Sequence, residues 1–161
     1  MVRFTARRLE AHELAAAFAL ARCAVPEVTP ERWKAFAASL APLGGGMLVV
    51  EAEGALIGLA AYRPDVSLAH GRLLRIDLLA AFELHRSAPV RAALLEGLDR
   101  IARESDCESV GLALSGHGAT LPAPARVESW ESLGHHIGSL FMVRKLAPET
   151  VVEKTRVACA A

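Results

Sequence analysis

The chain has 161 residues, 53% of them hydrophobic, enough for one domain that buries roughly two-thirds of its unfolded surface. Eighteen basic residues balance eighteen acidic ones and no segment concentrates Lys or Arg, which sets a nucleic-acid partner aside. Cys23, Cys107 and Cys159 have neither an even count nor metal-ligand spacing, so no metal site is expected and a reducing compartment suits the chain. The opening MVRFTARRLEAHEL lacks the apolar core of a signal peptide, and no run reaches the roughly 18 apolar residues of a membrane span. The expectation is a cytoplasmic protein without a membrane partner.

Val2 to Arg8 alternates loosely, with Val2, Phe4 and Ala6 on one side, and predicts a first strand. Glu10 to Ala24 predicts a helix whose stripe is Leu14, Ala17, Phe18, Ala21 and Val25, ended by Pro26. Thr29-Pro30-Glu31 restarts a helix, with Thr29 as cap, Pro30 in first place, and Trp33, Phe36, Ala37 and Leu40 as its apolar face. Pro42 and glycines 44 to 46 stop it. Met47 to Ala52 and Ala55 to Tyr62 predict two strands joined at Glu53-Gly54, a hairpin turn signal. Arg63 to Gly71, with Pro64, Asp65 and Gly71, reads as a loop.

Leu73 to Ala81 is an apolar run interrupted by Arg75 and Asp77, too short for a helix of its own, and predicts a central strand. His85 to Glu104 predicts a long amphipathic helix with Val90, Leu94, Leu98 and Ile101 on one face and Arg91, Glu96, Asp99, Arg100, Arg103 and Glu104 outward. Ser87 is its expected cap, and Pro89 falls in the first turn, where a missing N–H costs little. A buried strand that feeds the N-terminus of a long helix presents main-chain N–H groups to an anion such as phosphate. Ser109 to Leu114 predicts a further strand, Ser115 to Pro124 a loop, Arg126 to Leu133 a short helix and Ile137 to Leu146 a last strand. The expected organisation is a single domain over residues 1–148 and a tail over 149–161. Antiparallel hairpins followed by a strand–helix–strand crossover imply an α/β (α+β) fold with a mixed, mostly antiparallel central sheet and helices on both faces.

The element order and three segments resemble the GNAT superfamily of acetyl-CoA-dependent N-acetyltransferases, over about residues 2 to 146. The hairpin VVEAEGALIGLAAY, with Gly58 early in its second strand, is similar to the family's second and third strands. LLRIDLLAAFELHRSAPVRAALLEGLDRIARE is similar to its signature strand, phosphate loop and helix, and SWESLGHHIGSLFMVRKL to its C-terminal block. The resemblance implies transfer of an acetyl group from acetyl-CoA, as cosubstrate, to a primary amine of a small molecule or protein, with a homodimer as the expected assembly. It places the cosubstrate along the main chain of Leu78, Leu79 and Ala80 and over Arg86, Ser87, Ala88, Val90 and Arg91. Arg86 keeps the first position of the phosphate loop, while Pro89 and Arg91 stand where the family has small residues. Proline has no N–H, so one main-chain donor is missing. Trp130 aligns with the tyrosine that often serves as general acid, and its indole does not transfer protons near neutral pH. Ala123 stands about where the family often has asparagine. A second implied reading is a catalytically inactive protein that uses the same fold for binding or assembly.

Asp77, a carboxylate inside an apolar strand, is the first candidate base for the acceptor amine, and Glu83 the second of its type. Asp77 has the alternatives of pairing with Arg72 or Arg75, or of pointing from a half-exposed face. Arg86 and Arg91 either take phosphate contacts or lie solvated at the start of a helix. His117, on the Gly- and Ser-rich segment after a strand, lacks the carboxylate of a triad, and adjacent His135 and His136 would face opposite sides of an extended segment. Trp33, Tyr62 and Trp130 either line an acceptor cleft or pack the core.

Overall fold

The computed structural model describes residues 4–83 and 88–112. Among these residues five strands lie side by side in chain order: β1 (Ala6–Arg8), β2 (Gly46–Ala52), β3 (Ala55–Ser67), β4 (Gly71–Ala81) and β5 (Ser109–Leu112). The first three pairings are antiparallel, and β4 with β5 is parallel. Helix α3 (Pro89–Glu104) makes the crossover that a parallel pair requires. The predicted mixed, mostly antiparallel sheet is therefore present.

Helices cover both faces. On one side α3 buries Val90, Leu94, Leu98 and Ile101, the whole predicted stripe, against Leu48, Val50, Ala60, Tyr62, Leu74 and Ile76. Each buried Val, Leu or Ile side chain among them contributes about 2 kcal/mol by leaving water. Gly97 lets α3 lie close to the sheet, because a Cβ there would stand 2.9 Å from Leu48 Cδ1. On the other side α1 (Leu14–Ala24) and α2 (Pro30–Leu40) cover Met47, Val49, Leu59, Ala61, Leu78 and Ala80. A short 3-10 turn, Ala11–Glu13, leads into α1. Leu20 joins Ala17 and Ala21 in the buried stripe, whereas Val25, predicted to belong to it, lies past the last turn and is exposed. Thr29 caps α2 by accepting the Arg32 N–H at 3.2 Å, with Pro30 in the first turn as expected.

The β2–β3 turn has positive φ at both Glu53 (51°) and Gly54 (79°), the backbone of a two-residue hairpin whose twist matches its strands. The segment 63–67, predicted as loop, instead continues β3 and pairs with β4 through Ser67↔Gly71. Pro64 is tolerated because β2 ends its pairing at Gly46↔Tyr62. Its ring sits beside the Gly44 turn, so the side lacking an N–H faces no ladder partner. The start of α3 also differs from expectation. Its cap is Ala88, in the left-handed region (φ 47°, ψ 51°) with no side-chain hydrogen bond, rather than Ser87. Ser87, the predicted short helix 126–133, the strand 137–146 and the tail lie outside the described residues.

Candidate functional site

The candidate site is built on β4. Burial alternates without interruption along it, at Leu74, Ile76, Leu78 and Ala80, yet its two halves serve opposite cores. Leu74 and Ile76 pack under α3, while Leu78 and Ala80 pack under α1 and α2. A bulge makes the switch. Tyr62 pairs with Ile76 and Ala61 with Leu78, leaving Asp77 as the extra residue with no partner on β3. One inserted residue reverses which face every later side chain takes, and re-aims its own.

Upstream of the bulge the strand is charged. Asp77 Oδ2 accepts from Arg63 Nε at 2.8 Å, and Asp77 Oδ1 from Arg75 Nε at 3.1 Å. Arg75 Nη1 reaches Asp65 Oδ2 at 3.3 Å. Arg63 and Arg75 are direct cross-strand partners, a repulsive arrangement unless carboxylates are set between them. Asp77 bridges the two, Asp65 adds a second contact to Arg75, and the four half-buried charges sum to zero. The Val66 N–H, and after it Arg75, hold the Asp65 carboxyl below its ordinary range. Asp77 pairs with Arg75, one of the partners foreseen, and with Arg63, not with Arg72. Arg63 was hidden because its segment reads as loop.

Downstream of the bulge the strand is apolar. Leu78 and Ala80 bury their side chains on one face and Leu79 packs toward α3 on the other. What remains for a ligand at these three positions is main chain. On one edge they pair with Ala61, Ala60 and Leu59, and on the other the described pairing with β5 runs through Ile76↔Leu112.

The chain then reaches the N-terminus of α3. Phe82 is pinned by its N–H to Ile57 O at 2.8 Å. Glu83 turns its carboxylate onto the helix: Oε1 accepts the Arg91 N–H at 2.6 Å and Oε2 lies 3.4 Å from the Val90 N. The first-turn N–H groups of a helix have no intrahelical partner, and the helix dipole favours a negative charge there. Pro89 contributes no N–H and Ala88 no side-chain acceptor, so Glu83 serves as the cap from outside the helix. Gly58 seats this helix end on the sheet. A Cβ at Gly58 would stand 2.7 Å from Val90 Cγ1 and 3.3 Å from Leu94 Cδ1.

Of the sequence-derived candidates, the structure therefore brings Leu78, Leu79, Ala80, Glu83, Ala88, Val90 and Arg91 into one strand–helix junction, with Asp77 at its upstream end. Arg91 is half-buried rather than solvated. Arg86, Ser87 and Trp130, with His117, His135 and His136, lie outside the described residues. Trp33 and Tyr62 are core residues, each 3% exposed, and the Trp33 indole donates to Leu14 O at 2.9 Å. Burial raises the Tyr62 phenol above its usual range. Among the described residues no group of three or more His, Cys, Asp or Glu is placed to hold a metal, and no helix is long and apolar enough to cross a membrane.

No family model and no curated protein matches the sequence. Solved structures match the fold. AAC(6')-Iy in complex with the bisubstrate analogue CoA-S-monomethyl-acetylneamine superposes with a TM-score of 0.73 at 14% identity, over 91% of this chain and 100% of that one. Glucosamine-6-phosphate N-acetyltransferase from Arabidopsis thaliana gives 0.66 at 16% identity, over 91% and 100%. An acetyltransferase from Trypanosoma brucei gives 0.67 at 19% identity, over 89% and 99%. The chain thus has the fold of the GNAT acetyltransferases.

Proposed function

We propose that the chain is an N-acyltransferase that moves an acetyl group from acetyl-CoA to a primary amine of a small molecule or protein. The observation that carries this reading is the strand–helix junction, where the Val90 and Arg91 N–H groups converge on one carboxylate. An anion of the pyrophosphate class satisfies the same two donors and the same helix dipole. The residues fit such a ligand in a second respect. The main chain of Leu78, Leu79 and Ala80 offers hydrogen-bonding groups to an amide-bearing arm, whatever their side chains. AAC(6')-Iy, a structural neighbour, was crystallised with a CoA-derived ligand and with CoA itself, which supports the choice of cosubstrate.

Acetyl-CoA, when bound, supplies an acetyl group already activated as a thioester. The task left to this chain is to hold two reactants in register, and positioning alone accounts for much of such a rate enhancement. In this reading Asp77 is a positioning residue: its two oxygens are engaged by Arg63 and Arg75, and it fixes the bulge where the main chain changes face. Glu83 belongs to the helix terminus rather than to proton transfer. The acceptor amine reacts in its neutral form.

Titration calorimetry with acetyl-CoA tests the proposal. Saturable binding, together with a higher melting temperature, is expected; no heat and no shift at millimolar ligand would end it. One observation favours the second reading, a non-catalytic module on the same fold. Pro89 lacks a donor and Glu83 already occupies the neighbouring two, so these described donors of the helix start are satisfied without any ligand.

A further inference from the structure

We infer that Glu83 is a built-in competitor for the phosphate position, an autoinhibitory contact that a CoA-type ligand must displace. The inference rests on the acyl-CoA reading above. Three features of the junction carry it. First, the carboxylate stands on the main-chain donors themselves, 2.6 Å from the Arg91 nitrogen, and an oxygen of a phosphate cannot share that position. Second, the described first turn of the helix offers no substitute. The Pro89 position has no N–H, and the Ala92 N–H is already committed to Ala88 O at 3.0 Å, so a ligand anion has no free donor one residue along. Third, the contact can open without refolding. Phe82 is fixed to β3 by its N–H and α3 is fixed to the sheet by Val90 and Leu94, so rotation about Glu83's own side-chain bonds releases the terminus. The capping anion is then exchanged for another, with the helix satisfied before and after.

The competition is specific to phosphate. A ligand that carries only the pantetheine arm follows the main chain of Leu78 to Ala80 and leaves Glu83 in place. Affinity for CoA should therefore depend on residue 83, and affinity for the arm alone should not.

Titration calorimetry on wild type, Glu83→Ala and Glu83→Gln, each with CoA and with S-acetylpantetheine, separates the possibilities. Glu83→Ala should bind CoA about five- to tenfold more tightly, the weight of one helix-capping contact. Glu83→Gln should gain less, because its amide oxygen still caps the helix without the charge. S-acetylpantetheine should bind all three proteins equally. Equal CoA affinity in wild type and both variants overturns the inference and leaves the acyl-CoA reading standing. An equal gain for both ligands also overturns it, since the effect then lies outside the phosphate position. If CoA binds none of the three proteins while circular dichroism shows all of them folded, the acyl-CoA reading fails and the inference falls with it.

Discussion

Two carboxylates flank the C-terminal half of β4, and they are held in different ways. Asp77 is clasped by Arg75, two residues back on its own strand, and by Arg63, which register sets opposite Arg75 on β3. Its partners exist only in that geometry, and without it they repel each other. Glu83 is held by main-chain N–H groups at the end of a helix, donors that accept any anion of suitable size. The first contact builds the strand and has no ready substitute. In the proposal above the second is exchanged for a ligand, and this difference would separate scaffold from site within one short stretch of chain.

The contrast can be broken most severely at Gly58. Gly58→Val places a branched side chain against Val90 and Leu94, and overpacking of this kind should cost about 3 kcal/mol in urea unfolding. CoA affinity should fall with it, because the helix end is displaced. Asp77→Ala comes next. It leaves two arginines opposed across the strands and should cost about 2 kcal/mol, with solvent screening setting the upper limit. Asp77→Asn keeps an acceptor and should cost less. If Asp77 were instead a general base, Asp77→Asn would lower kcat by about a hundredfold or more at nearly unchanged stability. Glu83→Ala should cost about 1 kcal/mol, the loss of a helix cap, while raising CoA affinity. Stability and affinity moving in opposite directions at residue 83, and together at residue 58, would sharpen the comparison.

The smallest effect concerns acid. The Asp65 carboxyl is held below its ordinary value of 3.8, first by the Val66 N–H and then by Arg75. A carboxyl depressed in the folded state stabilises fully above its unfolded value, and that contribution is lost as pH falls through the lower folded one. Melting temperature should therefore decline on acidification from about pH 4 downward, and Asp65→Asn should flatten that part of the curve.

Much of the fold was legible in the chain. The stripe Val90, Leu94, Leu98 and Ile101 repeats at helical spacing and is buried as expected. Thr29-Pro30 and Glu53-Gly54 punctuate the chain through local backbone chemistry, and both act where they were read. Pro64-Asp65 gave the wrong signal, because a proline breaks a strand only where a ladder bond is needed, and the absence of β2 at that point is a tertiary fact. The bulge at Asp77 was invisible for a related reason. The spacing Leu74, Ile76, Leu78, Ala80 is the same with or without a change of face. Asp77 stood out as a charge in an apolar strand, but Arg63 lay in a segment read as loop, so the pairing could not be completed. From the sequence Glu83 reads only as a second carboxylate of the same type. An acidic residue before a helix that begins Ala88-Pro89 was the available signal, since neither residue can cap by its side chain.

We propose, then, that the Val90 and Arg91 N–H groups form an anion position held by Glu83 and yielded to CoA. Amide chemical shifts of these two residues, followed during a CoA titration of the wild type and of Glu83→Ala, test it most directly. Both amides should shift with CoA, at lower ligand concentration in Glu83→Ala, and should already differ between the two ligand-free proteins. Amides of Val90 and Arg91 that stay unmoved while CoA saturates the protein would contradict it.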